Sequence, residues 1–263
     1  MEKLKQMKNL FTVVLIVFSL SISLEGKTWG MLGHRVVGEV ATKHLSESAK
    51  QKIQSILGNQ TLAEVSNWMD DIKSDKKYDY LNPWHYVTIP DGMKYSETNI
   101  NPKGDALAGI DFVIQQLKTE GLDPTLEKEY LMMLVHLIGD IHQPLHVGNG
   151  KDRGGNDVKV TWFGQSSNLH KIWDSEILDG KKYSYTELTA IINHPTSEEI
   201  AAWQSGSVED WAHQCMDFRD GIYEYESGYA WEYKYQYAHW GTMKNQLLKG
   251  GVRLAGLLND IYG

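Results

Sequence analysis

The chain has 263 residues, 41% of them apolar and 23% charged, with nine Trp, fourteen Tyr and a single cysteine, Cys215. These values describe a folded domain with an aromatic-rich core, and they exclude a low-complexity chain or one stapled by internal disulfides. The formal net charge of −8 argues against a broad basic face for nucleic acid, but not against a polyanion bound through metal ions.

Lys3, Lys5 and Lys8 precede an apolar run over 10–24, the order of a secretory signal, too short for a membrane span. The expectation is a signal peptide over 1–28 and one domain over 29–263. The product would be secreted or periplasmic, with no stable membrane association after cleavage, and monomeric. That domain holds 22 basic and 32 acidic residues, a net charge of −10. Cys215 reads as a buried, inert thiol.

Val36, Val37, Val40, Ala41 and Leu45 predict a helix over 32–45. Ser46 or Ser48 can cap a second, which runs through Ile53 and Ile56 until Gly58 ends it. A third is expected over 62–72. The stretch 82–90, bracketed by Pro83 and Pro90 and rich in β-formers, reads as extended. A helix over 105–117 and a central helix over 125–142 follow, the latter stopped by Pro144. Beyond a glycine-rich loop, 148–155, Val158 and Val160 lead into a hairpin closed by 163–166. Residues 168–177 read as a helix. Thr196 and Glu199 have capping-box spacing and open a long helix through Trp203, Trp211 and Phe218. The last helix spans 237–261. No repeat or linker divides the chain. The fold expected is a mainly α, single globular α-helical domain with a short β-hairpin.

The segment 135–146 carries the chemistry. It sets His136, Asp140, His142 and His146 in an apolar context. His136 and Asp140 are four apart, so on a helix they share a face with about 40° of drift. The turn at Pro144 would swing His146 toward another part of the same pocket. A second pair at helical spacing is His170 and Asp174. One such pair often means no more than a surface hydrogen bond. Two pairs, with His85 and His146 besides, point to metal ligation by nitrogen and oxygen donors, zinc being the first metal to consider.

At this point the chain resembles a known family, the S-one/P-one type nucleases. The motifs run in order: Trp29-Gly30-Met31-Leu32-Gly33-His34, Trp68-Met69-Asp70, Pro83-Trp84-His85-Tyr86, His136 through His146, Gly154-Gly155-Asn156, Asn168-Leu169-His170 with Trp173-Asp174, and Gly251-Val252-Arg253-Leu254-Ala255. The resemblance covers nearly all of 29–263. It implies a mainly α fold with a trinuclear zinc cluster, cutting single-stranded nucleic acid and 3′-nucleotides. One zinc would take Asp70, His85, His136 and Asp140, and a second His146, His170 and Asp174. The third would take His34, Asp140 and the free α-amine and carbonyl of Trp29. His142 reads as a partner that fixes a ligand from behind, and His44, His194, His213 and His239 as ordinary helix or loop residues.

The resemblance further implies that Asp70 orients the attacking water and that the product keeps a 5′-phosphate. Lys73 would steady the phosphorane, or else be a solvated helix residue. Tyr86 would stack on a base, or else pack in the core. Asn156 would bond to a base edge. Thr88 departs from the Asp of the fungal members, which puts base preference in question, and their disulfides are missing. A zinc phospholipase C of the same fold is the nearest alternative, although it usually has Glu where this chain has Asp174. A non-catalytic zinc-binding protein is the alternative from another class.

Overall fold

Helix α1 (Met31–Lys43) turns Val36, Val37, Val40 and Ala41 inward, all four buried. Ser46 accepts from the Ala49 amide and opens α2 (Glu47–Leu57); Gly58, at φ 65°, ends it. Only a residue free of a Cβ takes that left-handed turn cheaply. The computed structural model describes residues 29–226 and 229–263, so the expected signal segment lies outside the described residues.

The helix expected over 62–72 is two pieces, α3 (Leu62–Val65) and α4 (Trp68–Asp71). The break falls at Ser66, and its carbonyl accepts from His136 Nδ1 at 2.7 Å. A continued helix would have committed that carbonyl to an amide four residues on. The stretch expected to be extended over 82–90 is also different. Lys76–His85 is 3₁₀-helical and only Val87–Thr88 (β1) is strand. Leu81 and Trp84, both buried, are three apart, the repeat of a 3₁₀ turn, so burial of that face overrides β-propensity.

Asp105 caps α5 (Ala106–Leu117) through the Ala108 amide. Asp123 accepts from the amides of Thr125 and Leu126, and Pro124 takes the first position of α6 (Pro124–Asp140). Pro there costs nothing, because its missing N–H would have had no partner in the helix. Residues 131–140 of α6 are all buried. The helix ends at Asp140, two residues sooner than expected, and a 3₁₀ turn, Pro144–His146, carries the chain into β2 (Val147–Gly148). β2 pairs in parallel with β1, Val87 opposite Val147, a contact the sequence did not announce.

The hairpin is β3 (Lys159–Trp162) with β4 (Gln165–Asn168). Its two turn residues, Phe163 and Gly164, both have positive φ, the backbone a tight two-residue hairpin requires. Asn168 caps α7 (Leu169–Lys171), which widens into a π-helical stretch, Ile172–Glu176, before α8 (Ile177–Gly180). Ser184 and Glu187 form the capping box of α9 (Tyr185–Ile192).

The long helix expected from Thr196 is three: α10 (Ser197–Gln204), α11 (Val208–Met216) and α12 (Arg219–Tyr223). The Thr196 box is present, but Gly206 turns left-handed and Ser207 starts a second box with Asp210. The last helix, α13 (Tyr229–Tyr262), starts earlier than expected and runs 34 residues. It packs along α1 and α6, while α5 covers another side of α6. The end of α6 is thereby enclosed by helices, and it carries the polar groups of the site. Cys215 is buried with Sγ toward the Ile141 carbonyl, and burial pushes its thiol up to about 12. No helix among the described residues is long and apolar enough to cross a membrane.

Candidate metal centre

Five histidines and three aspartates from five stretches of chain meet at the C-terminal turn of α6. Three groups have ligand atoms within 4.8 Å of one another: His34, His136 and Asp140; Asp70, His85 and His136; His146, His170 and Asp174. Asp140 stands between them. Its Oδ2 lies 3.0 Å from His85 Nδ1 and 3.1 Å from His136 Nε2. Its Oδ1 lies 3.1 Å from His146 Nδ1 and 3.4 Å from His34 Nε2. The third group is closed by His170 Nε2 at 3.2 Å and His146 Nε2 at 3.4 Å from the two oxygens of Asp174.

Backbone carbonyls aim the rings. His136 Nδ1 donates to Ser66 O, and His170 Nδ1 donates to Gly154 O, each at 2.7 Å. A carbonyl only accepts, so Nδ1 of each ring carries a proton and Nε2 is the nitrogen that faces the cluster. Gly154 holds φ 62°, and a Cβ there would run into the Leu145 carbonyl, so no other residue presents its carbonyl to His170 in this way. His34 stacks on His136 with ring centroids 3.9 Å apart. It comes that close because position 139 is glycine: a Cβ there would lie 2.7 Å from His34 Nδ1.

The electrostatics call for a cation. Asp140 and Asp174 are fully buried, and among the described residues neither has a Lys or Arg partner; their contacts are the histidines and Gln143. Both nitrogens of His34, both of His146, Asp140 Oδ1 and Asp174 Oδ2 are buried and make no hydrogen bond. Buried polar atoms are nearly always bonded. Carboxylate oxygens and ring nitrogens that converge without bonding one another fit metal ligation, in which a bound cation displaces the ring protons and is held by deprotonated donors at short range. Burial pushes His85 down to about 4 and also lowers His34. Burial works against a charged His146 too, yet Asp140 and Asp174 outweigh it and hold that ring up at about 10. Burial opposes ionised Asp140 as well, and His136 and His146 overcome it, so the carboxylate stays well below its usual range.

The remaining expected site residues sit around this centre. Asp70 is partly exposed, its Oδ1 is 4.0 Å from His136 Nε2, and Lys73 Nζ lies 2.6 Å from that same oxygen. A cleft of about 1080 Å³ opens over the groups, and Lys73, His85, Tyr86, His146, Asn156 and His170 line it. Tyr86 is 49% exposed, so it is a cleft side chain and not part of the core. Asn156 Nδ2 donates to Arg153 O. Trp29 is fully buried. Its ring lies against Gly33, and the next residue, Gly30, donates its amide to the Asp174 carbonyl at 2.6 Å.

One expectation is corrected. His142 touches no ligand side chain. Its Nδ1 donates to Ile138 O and its Nε2 accepts from Arg253 Nη1 at 2.9 Å. Burial and the Arg253 charge push it down to about 3, so it is a neutral link between the end of α6 and α13. The neighbouring residue does what was expected of His142. Gln143 Nε2 donates to Asp174 Oδ1 at 2.6 Å, and Gln143 Oε1 accepts from the Leu145 amide at 2.6 Å. The only signal for it in the sequence is a polar amide inside an apolar segment.

The family model described as S1/P1 Nuclease matches residues 29–263. Endonuclease 3 of Arabidopsis thaliana is 30% identical over 267 residues, which cover 89% of this chain and 89% of that protein. Endonuclease 2 of the same plant is 28% identical over 274 residues, 89% and 91% of the two chains. Nuclease P1 of Penicillium citrinum is 26% identical over 267 residues, 89% and 98%. The match spans every element that supplies a histidine or aspartate to the centre: the chain belongs to the S1/P1 nuclease family, and it is a phosphodiester-cleaving enzyme.

Proposed function

We propose that this chain is a secreted or periplasmic, monomeric, zinc-dependent endonuclease of single-stranded DNA and RNA. It leaves 5′-phosphate products and also acts on 3′-nucleotides. The observation that carries the reading is the convergence on Asp140 of four buried histidine nitrogens at 3.0–3.4 Å, two of which, His34 Nε2 and His146 Nδ1, make no hydrogen bond. Three zinc ions are the cofactor that fits these donors. Asp70, His85, His136 and Asp140 would hold one, and His146, His170 and Asp174 another. His34 and Asp140 would hold the third, with the α-amine and carbonyl of Trp29 once cleavage exposes them. Zinc bound there supplies Lewis-acid polarisation of the phosphoryl group and a water acidic enough to attack at neutral pH.

The chain's own side chains supply position and charge. Burial tends to raise the Asp70 carboxyl, but His136, His34 and Lys73 outweigh it and hold it below the ordinary carboxylate range. Asp70 is therefore an acceptor at the mouth of the cleft and orients the attacking water. The Lys73 ammonium, 2.6 Å from Asp70, is placed to donate to phosphate oxygens as charge grows in the transition state. Tyr86 offers a ring face to an unpaired base, and stacking of that kind accepts any base. A duplex keeps its bases inside, which is why this geometry selects single strands.

The test is metal content by elemental analysis, taken together with products from single-stranded DNA, RNA, a 3′-mononucleotide and phosphatidylcholine. The expected result is zinc in the purified protein and 5′-phosphate-ended fragments that disappear on chelation. Activity that survives exhaustive chelation, near-normal hydrolysis by Asp140→Ala, or cleavage of the lipid alone would overturn the reading.

A further inference from the structure

The cleft is larger than one nucleotide needs. Pockets of roughly 300–1,000 Å³ already bury most of a drug-sized ligand, and this one holds about 1080 Å³. Three cations line it, Lys73, Lys103 and Arg153, against one carboxylate outside the metal groups, Asp79. In a chain of net charge −8 that local excess is a focused positive field. Lys73 is tied to Asp70 at the centre. Lys103 is exposed and forms no ion pair among the described residues. Arg153 is exposed as well and, among the described residues, its side chain pairs only with Asp157.

The backbone puts these two cations on opposite flanks of Tyr86. β1 and the residues that flank it, Tyr86 and Ile89, have two edges. On one, Tyr86 O accepts from the Ala106 amide at 3.0 Å. That anchors the 101–105 loop, whose Lys103 carbonyl is also held by Trp84 Nε1. On the other, the strand pairs with β2 and the Ile89 amide donates to Gly148 O at 2.9 Å. β2 leads into the glycine-rich loop that carries Arg153.

Arg153 has φ 55°, a backbone region that non-glycine residues rarely occupy and that is read from the observed strain toward function. Asp152 holds the loop in that shape: its side chain accepts from the Gly155 amide and the Tyr223 hydroxyl, and its carbonyl accepts from the Asp157 amide. The guanidinium meets Asp157 in a fork, Nη2 and Nε both donating at 2.6–3.2 Å. That fork matches two phosphate oxygens as well as it matches a carboxylate. The pair is exposed, so exchanging one anion for another costs little.

We propose that the cleft takes a run of single strand in preference to a lone nucleotide, with Lys103 and Arg153 binding the phosphates on either side of the scissile one. This rests on the nuclease reading and adds to it a strand-length preference. Arg153 leaves Asp157 for the phosphate, and Lys103 enters without giving up a partner.

The experiment compares the purified, metal-loaded wild type with Lys103→Gln, Arg153→Gln and the double variant. The substrates are a 12-mer oligothymidylate and a 3′-mononucleotide, over a range of salt. The ratio of kcat/KM on the 12-mer to that on the mononucleotide should fall about threefold in each single variant and about tenfold in the double. Each phosphate contact on a single strand adds about 0.7 to the slope of log affinity against log salt, so the double variant should be flatter by roughly 1.4 on the 12-mer. An unchanged ratio, an equal loss on both substrates, or an unchanged salt slope would overturn the subsite and leave the nuclease reading standing. A wild type that cleaves neither substrate would overturn both.

Discussion

Replacing Gln143 by Met keeps the length and volume of a fully buried side chain and removes two hydrogen bonds, to Asp174 Oδ1 and from the Leu145 amide. The two losses have separate signatures. Without its donor, Asp174 is no longer held in the orientation that faces His146 and His170. Loss of an outer partner of a metal ligand costs about 10–100-fold in metal affinity, on the order of 1.4–2.7 kcal/mol. The Leu145 amide, buried and left without an acceptor, costs about 1–3 kcal/mol of folding stability whether metal is bound or not. The assay is zinc release against increasing chelator, followed by urea unfolding of the fully chelated protein. Of the three proposed ions, one should leave at 10–100-fold lower free chelator while the other two keep their wild-type profile. The chelated variant should also unfold about 1–3 kcal/mol more easily. A release curve that overlays the wild type, or one in which all ions shift together, would refute the assignment of Gln143 to the His146, His170 and Asp174 group. Unchanged stability of the chelated form would refute the account of Leu145.

Tyr86→Ala should raise KM for single-stranded DNA by an amount matching about 1–3 kcal/mol of stacking while zinc content stays at the wild-type value; unchanged KM, or lost metal, removes Tyr86 as a base platform. His142 is held neutral at about 3, below its unfolded value near 6.5. The unfolded chain thus binds the extra proton first, and stability is intact above that unfolded value and lost as pH falls toward 3. From pH 7 to pH 5 this one group should cost about 2 kcal/mol, so the unfolding free energies of the wild type and of His142→Gln, from urea titrations, should converge by that amount on acidification, and parallel profiles would show otherwise. Chains starting at Met1, Lys27 and Trp29 should differ in metal content. Only the last has a free α-amine at residue 29, with a pKa of about 8 that a zinc ion can override, so only it should hold a third ion, and equal zinc in all three would remove Trp29 from the ligand set.

What could be read from the sequence is what the helix period alone determines. His136 with Asp140, and His170 with Asp174, are four apart, and a helix brings each pair onto one face whatever surrounds it. The capping residues Ser46 and Thr196 act on amides three positions ahead, so they too were legible. The errors share one cause, a local pattern overruled by a distant partner or by a second local signal. Trp203, Trp211 and Phe218 fit a continuous helix, yet Gly206 and the Ser207 box cut it. The 82–85 stretch has strand composition, yet Leu81 and Trp84 bury a 3₁₀ face. Residues 62–72 have helical composition, yet His136, seventy positions on, takes the Ser66 carbonyl.

The same contrast separates His142 from Gln143. Both lie in the segment between Asp140 and His146, and imidazole is the better ligand type, so residue chemistry alone favours His142. The choice is made by where the chain turns. α6 stops at Asp140 and not at His142. The ring of His142 then faces Arg253 on α13, while the next side chain is brought to Asp174. A helix two residues longer would carry His142 on around the helix axis by about 200° from Asp140, so in neither geometry does it share the ligand face. The early stop serves His146. The 3₁₀ turn after Gln143 directs its two ring nitrogens at Asp140 and Asp174 together, and Gln143 fastens that turn through the Leu145 amide. One side chain thus sets both the orientation of a ligand and the course of the loop that delivers the next one, which is why its replacement should be felt in one metal group and in the stability of the metal-free chain.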